Sequence, residues 1–150
     1  MADILHDLPI RAPRGVVFAA ISTPAGLDTW WTKRARGAPR LGAEYELWFG
    51  PEYDWRAVVT ACEPDSTFEL RMTRADGDWL GTRVGFRLDG APAGGVASDG
   101  HTRLRFAHTG WPTANDHCRT SNHCWAMYLR ILRRHLEHGE TVPYEVRLDV

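Results

Sequence analysis

Apolar and polar positions alternate with a period of two from residue 41 to residue 108, which predicts β-strands with one buried face. Short Gly-, Pro- and Asp-containing runs separate the alternating segments, and a longer Gly- and Ala-rich segment at 89–100 predicts a loop. The strand segments are GAEYELWF, DWRAVVTAC, TFELRMTR, LGTRVGFRL and HTRLRFAH. Their order and short connections predict an antiparallel meander with an apolar inner face and an Arg- and Glu-rich outer face.

The chain before this meander predicts one strand and two short helices. DILHDLPI, residues 3–10, places Ile4, Leu8 and Ile10 in one phase. Pro13 suits the first turn of a helix, and Thr23 before Pro24 predicts the cap and start of a second helix.

A long helix is predicted after the meander, beginning near Thr113 and ending at Gly139. Its apolar stripe should pack on the inner face of the sheet. The stripe comprises Cys118, Ser121, Trp125, Tyr128, Leu129, Leu132 and Leu136. The segment TVPYEVRLDV alternates again, which leaves two alternatives for residues 140–150, an extra edge strand or a tail. These elements predict an α+β fold and a single domain over residues 1–150.

Composition and charge narrow the classes of partner. The 150 residues carry a formal net charge of −1, so no concentrated basic field favours nucleic acid or an anionic membrane surface. The N-terminal residues lack the features of a secretory leader, and no window approaches the length of a membrane span. A cytoplasmic protein is expected. Lys33 is the single lysine, a bias that indicates a GC-rich bacterial genome.

The stretch HCRTSNHC, residues 117–124, raises the question of a metal site. On one helix, His117 and Cys124 share a face but lie about 10 Å apart along the axis, whereas zinc–ligand bonds span about 2.0–2.3 Å. A site completed by His101 or His108 stays open as an alternative. The favoured interpretation makes the cysteines small packing residues, with neither a metal nor another cofactor expected.

Two parts of the sequence resemble the activator of heat-shock-protein-90 ATPase homologue family, within the START-like superfamily. The first is IRAPRGVVFAAISTPAGLDTWW, and the second is FAHTGWP followed by the long helix and LEHGE. The family-like positions are Pro13, Val17, Phe18, Thr23, Pro24, Leu27, Trp30, Trp31, Trp125, Tyr128, Leu129, Leu132 and Leu136. The resemblance covers nearly all of residues 4–140.

The resemblance implies a helix-grip fold, in which a curved antiparallel sheet wraps around a long C-terminal helix and two short helices close one end. It also implies a cavity for an apolar small molecule or lipid between sheet and helix. The candidate ligand-binding residues are Trp30, Trp31, Tyr45, Leu47, Phe49, Trp55, Phe68, Leu70, Phe86, Phe106, His108, Trp111, Trp125 and Tyr128. Each of these also suits an ordinary sheet-on-helix core.

Three functions remain open from the sequence. A small-molecule binding protein is preferred. A cyclase-like or hydrolytic enzyme would use His108 and Tyr128 as an acid–base pair in the same cavity. A protein-interaction or co-chaperone-like module would use the charged outer face or the tail. A homodimer is a separate option. Since START-like folds host both binders and enzymes, the site must decide.

Overall fold

The alternating segments form one antiparallel sheet in the computed structural model, which describes residues 1–93 and 96–149. Within these ranges, seven strands follow the order β1-β7-β6-β5-β4-β3-β2. They are β1 Ala2–Ile10, β2 Arg34–Arg36, β3 Glu44–Trp48, β4 Asp54–Glu63, β5 Thr67–Arg74, β6 Arg83–Ala93 and β7 Val96–Trp111. The helices are α1 Arg14–Ser22, α2 Pro24–Asp28 and α3 Asp116–His138, followed by a C-terminal 3-10 helix, Tyr144–Asp149. The predicted α+β helix-grip fold is confirmed.

Helix α3 lies against the inner face of the sheet through the predicted stripe. Cys118, Ser121, Trp125, Leu129 and Leu132 are buried, and Tyr128 and Leu136 are partly buried. The helix begins at Asp116 rather than near Thr113, because the Asn115 side chain accepts a hydrogen bond from the Cys118 amide at 2.9 Å and caps the first turn. Gly139 ends it in the left-handed conformation, φ 67°.

Helices α1 and α2 meet at a tight corner. Thr23 caps α2 as predicted, and its hydroxyl accepts a hydrogen bond from the Gly26 amide at 3.0 Å. A Cβ atom at Gly26 would lie 2.3 Å from the Ala19 carbonyl oxygen, so only glycine allows this approach. The corner directs Trp30 into the core, where its indole donates to the Ala20 carbonyl at 2.9 Å.

The charged residues on the outer face pair with one another across neighbouring strands. Arg103 of β7 binds Asp7 of β1, and Arg83 of β6 lies 3.1 Å from Glu69 of β5. At the other edge, Arg56 lies 3.2 Å from Glu46. The Arg103 guanidinium lowers the pKa of Asp7, mainly by hydrogen bonding. Exposed pairs of this kind each contribute about 0–1 kcal/mol, so they finish a solvated face rather than drive folding.

Besides the start of α3, the structure differs from the sequence expectations at four places. The short strand β2 was missed. The predicted strand LGTRVGFRL begins only at Arg83, because the chain turns through Gly81 at φ 83°, leaving Leu80 exposed. The described part of the predicted loop 89–100 instead continues β6 and β7, since backbone pairing needs no large side chains; Gly94 and Gly95 lie outside the described residues.

The fourth difference is in the tail, where residues Tyr144–Asp149 form a 3-10 helix instead of an edge strand. The physical reason is Arg147, which is only 6% exposed. Its guanidinium donates to the carbonyl oxygens of Val142, Thr32 and Asp28 at 3.1, 3.1 and 2.7 Å. The tail is therefore tied to the end of α2. Val150 lies outside the described residues.

None of the described helices is both long enough and apolar enough to cross a lipid bilayer.

The tail anchor gives a first prediction. Replacing Arg147 with Ala removes three donors to buried carbonyl groups and should lower the free energy of unfolding by roughly 2 kcal/mol. The freed tail should also become cleavable by chymotrypsin after Tyr144. Urea denaturation and limited proteolysis measure both effects. Arg130→Ala, at an exposed position on α3, is the matched control. Equal behaviour of the two variants would contradict the anchor.

Candidate functional site

Most of the space between sheet and helix is filled by aromatic rings. Trp125 of α3 stands at the centre, with ring centroids 4.5 Å from Phe106, 5.0 Å from Trp31 and 6.4 Å from Trp30. Trp79 lies 5.8 Å from Trp125 with nearly parallel rings. The predicted deep cavity is therefore largely a packed aromatic core.

Trp79 closes this interior from the connection between β5 and β6. The residue is 7% exposed and lies between the sheet and α3, with its indole donating to the Ser121 hydroxyl at 3.2 Å. Its backbone is fixed by a turn, in which the Trp79 amide donates to the Asp76 carbonyl at 2.8 Å. The space that remains is displaced to one end of the helix–sheet interface.

An open pocket of about 360 Å³ occupies that end. Besides Trp31, which lies between α2 and β2, four parts of the fold surround it: the β3–β4 turn with the start of β4, the β5–β6 connection, the N-terminal half of α3 and the C-terminal 3-10 helix. The lining residues are Trp31, Phe49, Tyr53, Trp55, Asp76, Trp79, His117, Thr120, Ser121, Cys124, Trp125, Tyr128, Tyr144 and Leu148. We call this space the aromatic pocket.

The aromatic pocket grades from a buried floor to an exposed rim. Trp31 and Trp125 are 2% and 1% exposed and form part of the floor. Tyr53 and Leu148 are 45% and 47% exposed and lie at the rim. A ligand would therefore place an apolar body inward and keep another part close to water.

Two tyrosines of the wall carry hydroxyl groups that stay protonated. Burial raises the pKa of Tyr128 to about 12, Tyr144 and Cys124 raise it further by smaller amounts, and the Arg147 cation partly opposes them. No hydrogen bond engages the Tyr128 hydroxyl within residues 1–93 and 96–149. The Tyr144 hydroxyl donates to the Phe49 carbonyl at 3.2 Å, which joins the tail to the β3–β4 turn. Tyr128 therefore offers a free hydroxyl to a ligand.

The fourteen residues predicted from the sequence fall into two groups. Those that line the aromatic pocket are Trp31, Phe49, Trp55, Trp125 and Tyr128. Those that lie outside its walls are Trp30, Tyr45, Leu47, Phe68, Leu70, Phe86, Phe106, His108 and Trp111. Tyr45 shows why: burial raises the pKa of its phenol, and its hydroxyl donates to the Ser22 carbonyl at the end of α1.

His108 is a fully satisfied core residue behind Trp79. The Trp125 indole donates to His108 Nδ1 at 3.0 Å. Because an indole N–H only donates, Nδ1 accepts, and the ring proton lies on Nε2, which donates to the Thr82 hydroxyl at 2.8 Å. That hydroxyl donates to the Trp79 carbonyl at 2.6 Å. Burial, with a smaller contribution from His117, lowers the pKa of His108 to about 3.

The residues of HCRTSNHC point in different directions. Cys118 is buried, Cys124 lines the pocket, and His117 faces Asp78 at 3.3 Å. Burial raises the pKa of both thiols. Among the described residues, no group of three or more His, Cys, Asp or Glu side chains is placed to hold a metal ion. Cys124 therefore enters the site as a small neutral wall residue.

A larger depression, about 490 Å³, lies on the outer face of the sheet above Gly85 and Ala107. It exists because these two residues carry little or no side chain between longer neighbours. Arg87 and Arg105 border it, and both lie 3.8 Å from Asp89. No helix covers this outer depression in the part of the chain that the structure describes, whereas α3 and the 3-10 helix both line the aromatic pocket, so we assign the candidate site to the aromatic pocket.

The sequence of this chain matches the model of one known family. The sequence model described as "Activator of Hsp90 ATPase homolog 1-like protein" matches residues 11–137. The chain belongs to this family. The comparison with curated protein sequences gave no match.

Solved structures show the same fold. The Aha1 dimer from Colwellia psychrerythraea is 27% identical, with a TM-score of 0.80, covering 93% of this chain and 99% of its own. Protein SSP2350 from Staphylococcus saprophyticus is 19% identical, TM-score 0.74, with coverages of 94% and 96%. CalU16 from Micromonospora echinospora is 20% identical, TM-score 0.70, with coverages of 97% and 80%.

Several residues of the pocket in this member of the activator-homologue family escaped prediction. Trp79 lies in a turn that breaks the alternation, so its inward position had no periodic signal. Tyr144 and Leu148 do alternate, but within a tail predicted as a strand. Tyr53 and Asp76 belong to turns. A cluster of Trp and Tyr in turns was the available signal, because such residues are seldom left solvated without a partner surface.

The buried histidine predicts a pH effect on stability. Below the unfolded pKa of 6.5, the unfolded chain binds a proton that native His108, with a pKa of about 3, does not. Stability from this group is therefore full above pH 6.5 and falls as the pH drops toward 3. We expect the wild type to lose about 2 kcal/mol more than His108→Gln between pH 7 and pH 5. Urea denaturation at both pH values measures this difference. A difference independent of pH would show that native His108 protonates freely.

Proposed function

We propose that this domain binds a small, planar and largely apolar molecule in the aromatic pocket. The observation that carries the proposal is the enclosure of one aromatic-lined space by four separate parts of the fold. Ligand sites are usually concave, mostly apolar and supplied with a few convergent polar groups. The free Tyr128 hydroxyl and the Thr120 side chain supply such groups here.

The pocket size favours a small molecule over a lipid. Its volume of about 360 Å³ lies near the lower end of the ~300–1,000 Å³ typical for small-molecule sites. The aromatic core blocks extension toward the far end of α3, because Trp30, Phe86 and Phe106 fill that space. A long acyl chain would have to displace these rings, whereas a molecule with one or two fused rings would not.

The geometry gives less support to the acid–base pair of His108 and Tyr128. Tyr128 lines the pocket, but His108 lies behind Trp79 with both ring nitrogens engaged. A pKa of about 3 also makes this imidazole a weak base at neutral pH. The interaction-module alternative loses its main support because the outer-face charges pair among themselves.

A homodimer is the further part of the proposal. Its support is the solved relative from Colwellia psychrerythraea, which is described as a dimer and is 27% identical over 93% of this chain. Native mass spectrometry of the untagged protein should show twice the chain mass. A monomer at micromolar concentration would contradict it.

Binding can be tested with the neutral fluorescent probe N-phenyl-1-naphthylamine, whose emission rises in apolar surroundings. We expect saturable binding to the wild type at one site. Thr120→Trp fills the pocket from an exposed helix position and should weaken binding by at least about tenfold, equivalent to 1.4 kcal/mol.

The matched control is His123→Trp, which adds the same ring at an exposed position of α3 outside the pocket lining. It should leave probe binding unchanged. If both tryptophan variants bind like the wild type, the probe occupies another surface and the assignment of the pocket fails. Circular dichroism of each variant checks that α3 is retained.

A further inference from the structure

We propose that the ligand of the aromatic pocket is an organic cation, such as an arylalkyl or quaternary ammonium. The inference rests on the proposed function, because it assigns a charge to the molecule that the pocket would hold. It comes from three observations on the pocket: the type of its walls, the sign of the charge at its mouth, and the absence of Lys and Arg among its described lining residues.

The walls present electron-rich ring faces from several directions. Trp31, Trp55 and Trp79 lie on three different segments, and Tyr128 and Tyr144 add two phenol rings from α3 and the tail. A cation over the face of Trp or Tyr is attracted by the negative charge of the ring quadrupole, and Trp is the strongest partner. Walls of this kind stabilise a partly desolvated ammonium better than an aliphatic pocket would.

The one carboxylate in the lining belongs to Asp76, at the exposed rim. Within residues 1–93 and 96–149 its side chain makes no hydrogen bond or ion pair. The neighbouring depression carries Glu52 and Asp54 against Arg74. Asp54 is paired with Arg56 at 3.1 Å. Glu52 and Asp76, taken together with Arg74, leave one net negative charge at the mouth. A cation entering here meets a negative edge.

The described lining contains neither Lys nor Arg, which an anionic ligand would normally need. The basic candidate, His117, has its Nδ1 directed at Asp78. Two opposing charges lie near the tail. The Lys33 ammonium lies 5.7 Å from the Tyr144 ring centroid and 3.7 Å from the Glu145 carboxylate. The Arg147 guanidinium lies 5.5 Å from the same centroid, outside the lining, and donates to three carbonyl groups. They therefore raise the potential near the tail but leave the Asp76 side of the mouth negative.

A neutral ligand would fit the same walls and leave Asp76 without a role. The comparison between matched neutral and charged ligands therefore tests the inference directly. Three naphthalene derivatives of nearly equal size serve this purpose: 2-naphthylmethylammonium, 2-naphthylmethanol and 2-naphthoate. Each competes with N-phenyl-1-naphthylamine, and displacement gives its Kd.

We expect the ammonium to bind about tenfold more tightly than the alcohol, and the carboxylate to bind most weakly. Asp76→Asn should remove most of the ammonium's advantage over the alcohol. Glu44→Gln is the matched control, since it changes the net charge equally at an exposed position at the start of β3. It should preserve the order of the three ligands.

The outcomes separate this inference from the proposed function. If neither the fluorescent probe nor any naphthalene binds, the pocket function itself fails. If the alcohol and the ammonium bind equally to the wild type and to Asp76→Asn, the pocket stands and the charge preference is overturned. Tighter binding of the naphthoate would likewise overturn it. Loss of the advantage in Glu44→Gln as well would show a general charge effect instead of a role for Asp76.

Discussion

The hydrogen bond from the Trp125 indole to His108 joins the long helix to the sheet, and the remaining interior is arranged around it. It fixes the histidine tautomer, which directs the second ring N–H to Thr82, and Thr82 in turn holds the turn that carries Trp79. The Trp125 indole, both nitrogens of His108 and the Thr82 hydroxyl all have partners in this buried series of hydrogen bonds, where an unpaired group would cost about 1–3 kcal/mol. Packing and polar satisfaction therefore agree on one position for α3.

The same chain of bonds explains why the site is an end pocket. With Trp79 held between sheet and helix, the deep cavity implied by the family resemblance is occupied by side chains of the protein itself. Burial of large aromatic rings stabilises the fold, and the rings leave the aromatic pocket open where α3, the β3–β4 turn and the tail diverge. The packing of aromatic rings therefore both stabilises the core and restricts the size of a ligand.

The sequence predicted the positions of those residues that follow a strand or helix periodicity. Alternation placed Phe106 and His108 on the inner face, and helical spacing placed Trp125 on the buried stripe. Trp79 and Tyr53 lie in turns, where no period applies, so their inward or rim positions depend on contacts that only the folded chain creates. The tail was predicted incorrectly for another reason. Its alternating pattern suggested a strand, but its most buried described side chain is Arg147, which donates hydrogen bonds to backbone carbonyl groups.

Arg147 also shows how the pocket's floor and wall are coupled. Its guanidinium binds the carbonyl oxygens of Asp28 and Thr32, which flank the segment that carries Trp31 into the floor. The same residue faces the ring of Tyr144, which forms part of the wall and bonds to the Phe49 carbonyl. A displacement of the tail would therefore disturb α2 and the β3–β4 turn together. Because one buried cation ties these three elements, the shape of the pocket depends on a residue that does not line it.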